Sequence, residues 1–341
     1  MNVDYQQVYK NKLKLSREVQ VAFVKLSASH PLRAQYAAFQ AAEFDWLDDF
    51  AIYYALKARF EGVAWTDWPE PFRDRDPAAL DAAKKQCAPD IERAKLEQFL
   101  LRLQWDGVRE VAQQRGVRII GDLPIFVAHD SVDVWCMRDL FRLNPDGCPS
   151  VMAGVPPDYF SSTGQLWGNP LYRWERHRAD GFKWWRQRLR KILSWVDVVR
   201  IDHFRGFEAC WEVPEGAETA AGGQWVKAPG HEVFAAFVED YGMPLPVIAE
   251  DLGVITPEVV ALRDDFQLPG IRVQQFAFGN DPMSHTFLPE TYDENCVAYT
   301  GTHDNDTVVG WFNSQAGASS TRTAEEIESE RATTLNYFGG D

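Results

Sequence analysis

Apolar side chains along this chain change their spacing near residue 116, from helical intervals to short unbroken runs. Residues 1–112 read as almost wholly helical. Segment 40–56 (QAAEFDWLDDFAIYYAL) is aromatic-rich at helical spacing. Segment 90–115 predicts a long amphipathic helix, since Leu96, Phe99, Leu100, Leu103, Val108, Val111 and Ala112 recur mostly at threes and fours. Between them WTDWPEPFRDRDP (65–77) carries three prolines and reads as a break. Gly116 is placed as a helix stop.

Beyond Gly116, short apolar runs follow helices. VRII (117–120) ends at Gly121-Asp122, and a helix over 184–195 leads to VDVVRI (196–201) and Asp202. A helix over 231–241 leads to residues 247–249 and Glu250. A helix over 256–266, with Thr256 as N-cap and Pro257 at its first position, leads to IRVQQFAF (271–278). CVAY (296–299) ends at Thr300-Gly301-Thr302-His303-Asp304. The alternation predicts five parallel strands in an α/β fold, open or closed. Asp122, Asp202, Glu250 and Asp304 fall at or just past four strand ends, the edge where such sheets carry their sites. No strand is followed by a dinucleotide or phosphate-binding glycine motif. Segment 144–172 is rich in Gly, Pro and Ser but also holds Tyr159, Phe160, Leu166, Trp167 and Tyr172, so it is expected to be an ordered loop walling the strand ends. The stretch 315–341 is polar and helix-compatible, with no further strand.

Composition narrows the partners. A net charge of −15 over 341 residues disfavours nucleic acid and anionic membranes and is compatible with a neutral substrate such as a sugar. Five scattered cysteines without a CxxC pair point away from a disulfide framework or zinc site and fit a reducing, cytoplasmic setting. No leader-like or membrane-spanning apolar run is visible. Seven histidines form no metal-binding spacing, so no metal is expected. Tryptophan is the outlier at 13 copies, five of them at 167, 174, 184, 185 and 195. Most are read as core, the remainder as platforms for pyranose rings.

The strand-end acids suggest chemistry. Strand alternation points Arg200 and Asp202 to one face. The pair suits a nucleophile kept as carboxylate, or equally a structural ion pair. Glu250 follows an apolar run, so desolvation should raise its pKa as a general acid requires; the alternative is a solvated carboxylate. Asp251 points the other way and is read as a helix or loop cap. His303 could hydrogen-bond a sugar hydroxyl and Asp304 could hold a distorted ring, or the segment is an Asx-turn cluster. Two carboxylates flanking a scissile bond are the usual apparatus of glycoside chemistry, at roughly 5–5.5 Å for a retaining route.

At these residues the chain resembles the amylomaltase, or 4-α-glucanotransferase, family. The likeness runs through GDLPIFVAHDSVDVW (121–135), AGVPPDYFSSTGQLWGNPLY (153–172), VRIDHFRGFEACWEVP (199–214), IAEDLG (248–253) and YTGTHDNDT (299–307), with support from WLDDFAIYYALK (46–57) and QWDGVREVA (104–112). It implies a (β/α)8 TIM-type barrel with helical insertions, Asp202 as nucleophile, Glu250 as general acid/base and Asp304 as stabiliser of the distorted sugar. It implies that Arg200 and His303 assist there, and that Asp122, Asp158, Gln165 and Trp167 fall in donor and acceptor subsites. The implied reaction moves α-1,4-glucan segments between maltooligosaccharides without a cofactor. The chain is expected to be shorter than family members at both ends, with about five of eight strands. Residues 1–115 would form a helical insertion region packed on the barrel and 116–341 a partial catalytic barrel. An amylase-type hydrolase and an inactive glucan-binding fragment are the competing expectations; GDLPIFVAHD (121–130) departs from the amylase pattern.

Overall fold

The computed structural model of the protein describes residues 3–157, 161, 163–316 and 322–340. They divide into two compact units, one of residues 1–117 with 128–148, the other of 118–127 with 149–341.

The first unit is helical. Helices Tyr5–Val24, Pro31–Ala42 and Leu47–Arg59 precede the 27-residue helix Ala88–Gln114. Gly116 takes a positive φ of 66° just past its end, a conformation open to glycine at little cost. Tyr36, Leu96 and Phe99 form a buried cluster between helices. The proline-rich break becomes short helical pieces, with Asp76 capping the helix Pro77–Gln86 through Ala79 N–H.

Among its described residues the second unit has nine strands: β1 (Ile120–Pro124), β2 (Val151–Val155), β3 (Gln165–Pro170), β4 (Val198–Asp202), β5 (Ala209–Pro214), β6 (Gln224–Lys227), β7 (Val247–Ala249), β8 (Gly270–Val273) and β9 (Cys296–Tyr299). All five expected parallel strands are present: β1, β4 and β7 pair in that order, and β8 pairs with β9. The Ala249 amide donating to Pro269 carbonyl at 2.9 Å links β7 to the approach of β8. Helices Lys183–Leu193, Gly230–Tyr241 and Pro257–Asp265 connect these strands, which gives the mixed α/β class expected. Among the described residues the parallel strands do not close into a barrel.

Several expectations need correction. β1 begins three residues late, so Asp122 lies inside it. A charge is tolerated there because Asp122 is in register with Arg200 of β4. The expected strand over 271–278 ends at Val273 and continues as a 3₁₀ helix, in which buried Gln275 bonds to the Asp306 carbonyl. Thr256 takes the N-cap position and Pro257 opens the helix as expected, though no capping bond comes from the Thr256 side chain. The supposed loop 144–172 contains β2 and β3, half of a four-stranded antiparallel sheet ordered β3-β2-β5-β6. Gly154 permits it: a Cβ there would lie 2.4 Å from the Gln165 carbonyl oxygen. The C-terminal helix Ala324–Phe338 forms as expected, with a capping box between Thr323 and Glu326. Among the described residues no helix is long and apolar enough to cross a membrane.

Trp174, Trp184 and Trp185 pack with Tyr172, Phe207 and Phe234, which absorbs much of the tryptophan excess into core. Asp251 is not a cap. It is buried, accepts from Ile271 N–H at 2.7 Å, and pairs with Arg263 at 2.6 Å and Arg272 at 3.4 Å. It thus fastens the end of β7 to β8. Removing one member of a buried pair leaves the other charge uncompensated. Asp251→Ala is expected to lower stability by about 3 kcal/mol in urea unfolding, and Asp251→Asn by less, because it keeps an acceptor for the Ile271 amide.

Candidate active site at the ends of β1, β4 and β7

The parallel register brings three strand ends level. Asp122 is opposite Arg200, Pro124 opposite Asp202, and Ile201 opposite Ala249. Asp202 and Glu250 therefore follow one registered pair on strands about 4.8 Å apart. The backbones stay joined past the strands: Glu250 N–H donates to Ile201 carbonyl at 3.0 Å, and Phe204 N–H to Glu250 carbonyl at 3.2 Å.

Arg200 lies between two acids. Its Nη1 is 2.7 Å from Asp122 Oδ1 and 2.9 Å from Asp202 Oδ1. The guanidinium side chain is only 11% exposed, while the acids keep 46% and 41% of their side-chain surface in solvent. Alternation along β4 thus places Arg200 and Asp202 on one face, with Asp202 open to a reactant.

Glu250 is the opposite case, a buried carboxyl that is 8% exposed. Its Oε1 accepts Leu252 N–H at 2.8 Å and its Oε2 accepts His203 N–H at 2.7 Å. Burial dominates and pushes its pKa up to about 7; the Leu252 and His203 amides and Arg200 pull it down, while the charge of Asp202 adds to the rise. Two neighbouring carboxyls thus stand in contrasting surroundings, one part-exposed beside a cation and one desolvated.

Trp167 is part-exposed, at 38%. Its Nε1 donates to Gln165 Oε1 at 3.1 Å, two residues back along β3. Its ring meets His203 edge-on at 4.9 Å and lies 6.2 Å from Phe126. Asn169 Nδ2 donates to the Val127 carbonyl at 2.8 Å and Tyr172 hydroxyl to the Ile125 carbonyl at 2.5 Å, so the strand bearing Trp167 is tied to the segment after β1. The indole forms a wall beside His203, whose amide holds Glu250.

The structure thus gathers Asp122, Arg200, Asp202, Glu250, Gln165 and Trp167. His303 and Asp304 stand past β9, at 66% and 70% side-chain exposure and 3.4 Å from each other. Among the described residues neither bonds to that group. Thr302 donates to Asn305 Oδ1 through its amide and hydroxyl, at 3.0 and 2.9 Å, and the loop is braced by Gln275. Asp158 lies outside the described residues. No group of three or more His, Cys, Asp or Glu side chains among the described residues could hold a metal ion.

Sequence reasoning missed His203. It has a left-handed backbone with φ of 54°, and burial, with Arg205 adding, pushes its pKa down to about 4. Its one signal in sequence is a non-glycine residue directly after the strand that must turn there.

Residues 1–339 match the family described as 4-alpha-glucanotransferase. The 4-alpha-glucanotransferase of Thermus thermophilus is 50% identical over 312 residues, covering 91% of this chain and 62% of that protein. That of Synechocystis sp. is 45% identical over 339 residues, covering 99% and 65%. The structure described as amylomaltase from Streptococcus agalactiae in complex with acarbose superposes with a TM-score of 0.89 at 35% identity, covering 99% of this chain and 65% of that one. The chain thus spans somewhat under two thirds of the length of these relatives.

A carboxyl whose folded pKa lies above its ordinary value favours folding while protonated. That contribution is complete below about pH 4.5 and is lost as pH rises through about 7. Denaturant unfolding across this window should show wild type losing stability relative to Glu250→Gln, by about 3 kcal/mol in total. A constant difference between the two across the window would contradict the assigned burial effect.

Proposed function

The chain belongs to the 4-alpha-glucanotransferase family, and we propose that it moves α-1,4-glucan segments between maltooligosaccharides by a retaining double displacement. The observation that carries the reading is the contrast at the ends of β4 and β7: Asp202 beside Arg200, and next to it Glu250, buried and with its pKa pushed up to about 7.

In the first step Asp202 attacks the anomeric carbon of the donor glucosyl unit. The bond from that carbon to the bridging oxygen breaks, and the leaving oxygen takes the proton from Glu250. In the second step Glu250, now a carboxylate, removes the proton from the 4-hydroxyl of an acceptor sugar. That oxygen attacks the anomeric carbon, the ester to Asp202 breaks, and Glu250 ends protonated. A pKa near neutrality suits a group that gives and takes one proton in each cycle.

Arg200 and Asp122 hold the Asp202 carboxylate in place. Asp304 and His303, exposed past β9, are assigned to the hydroxyls of the bound, distorted glucose. Gln165, Trp167 and Asp158 are assigned to donor and acceptor subsites, with the part-exposed Trp167 indole as a stacking face. A sugar-covered wall favours transfer because it withholds water from the glycosyl-enzyme. No cofactor enters the scheme. None of the five cysteines is in a disulfide among the described residues, which supports a cytoplasmic setting.

Maltotriose alone tests the reading. Glucose with maltopentaose and longer products supports transfer. Net appearance of new reducing ends without longer products supports an amylase-type hydrolase. A ligand-induced rise in Tm without turnover would leave a glucan-binding chain. Glu250→Gln is expected to lower the rate about 10²–10⁴-fold, with Asp202→Asn stopping accumulation of the covalent intermediate. Trp167→Ala should raise the hydrolysis-to-transfer ratio or weaken glucan affinity; an unchanged product distribution and affinity would remove Trp167 from the site.

A further inference from the structure

The residue that follows Asp202 has no role in the scheme above, yet it touches both halves of the site. His203 adopts φ 54° and ψ 49°, left-handed helical values that a side-chain-bearing residue enters at a cost. In that conformation its amide lies 2.7 Å from Glu250 Oε2. Its ring is packed edge-on against Trp167 at 4.9 Å and 6.2 Å from Phe126, and its Nε2 is buried with no hydrogen-bond partner among the described residues. Nothing the imidazole bonds to explains the backbone conformation. The bond that conformation makes is the one to the carboxyl of Glu250.

We propose that His203 is a positioning residue for Glu250: its left-handed backbone aims an amide at the carboxyl, and its neutral ring, wedged beside Trp167, holds that backbone in place. The proposal rests on the reading of Glu250 as the acid/base. The amide favours the carboxylate form, so it offsets part of the effect of burial and keeps the group able to release its proton. The ring supports this by being uncharged, since burial and the nearby Arg205 both disfavour a second cation there. The titratable and charged groups facing Glu250 are Asp202 and Arg200 on β4, and Arg205 faces the His203 ring.

The test reads the bond itself and does not need turnover. With ¹⁵N-histidine labelling, the His203 amide shift should follow a titration near pH 7 in wild type and be flat in Glu250→Gln. Difference infrared spectroscopy of the Glu250 carboxyl should show its pKa rise by about one unit in His203→Val, which resists positive φ. His203→Gly and His203→Asn, which accept that φ but lack the ring, should raise it by less than His203→Val does. Where transfer activity is present, the alkaline limb of kcat/KM should move upward most with His203→Val. An amide that ignores the Glu250 titration, or a His203→Val variant with an unmoved carboxyl pKa, overturns the proposal. If His203→Val does not fold, the wild-type and Glu250→Gln amide titrations decide alone. Absence of glucan transfer by a chain whose His203 amide does titrate would count against the transferase reading and leave the positioning role standing.

Discussion

Desolvation of Glu250 sets the terms for the whole strand-end site. A carboxyl with 8% of its surface in water holds its proton to near-neutral pH, and a second carboxyl beside it can do different work only if its surroundings differ. The fold supplies that difference by position. Asp202 ends a strand whose Arg200 points the same way, and Asp122 on the far side of Arg200 completes a three-member ion pair. Glu250 ends an apolar strand with two backbone amides as its direct partners. Two carboxyls thus acquire different surroundings from one parallel register.

The same logic separates Glu250 from Asp251. Adjacent residues at a strand end face opposite ways. Glu250 turns to the site, and Asp251 turns inward, where Arg263, Arg272 and the Ile271 amide neutralise and saturate it. One acid is left poised between two protonation states; its neighbour is fixed in an ion pair and contributes only structure.

What was legible in the sequence follows from which forces are local. Strands β4, β7 and β8 announce themselves as buried apolar runs and β9 as a less buried one, while β1 lies mostly beyond the run that predicts it; the shared face of Arg200 and Asp202 follows from alternation. The rise at Glu250 follows from the apolar run before it. The antiparallel sheet was hidden because its strands hold Gly154, Gly168 and Pro170, residues that usually punctuate loops. At Gly154 the glycine marks close backbone approach, which only the pairing partner reveals. Asp251 was misread because both its arginines are distant in sequence. His203 was invisible because a left-handed φ at a histidine has no pattern, and its cause, a carboxyl 47 residues away, lies on another strand. Asp304 was readable as a strand-end acid, yet its surroundings come from Gln275 and Asn305 and not from the cluster at β4 and β7.

The fastening by Asp251 has a kinetic side. The two parallel sheets do not share one continuous ladder; they meet where Ala249 and Asp251 reach the start of β8. Such a junction is a natural fault line for sub-global opening, at a free energy below that of complete unfolding. When it parts, the segment beginning at Glu250 loses its brace first. Water then reaches the carboxyl and its elevated proton affinity collapses while most of the chain is still folded. On heating, loss of the raised Glu250 proton affinity would on this basis run ahead of loss of helix content, with the seam between the sheets setting the pace.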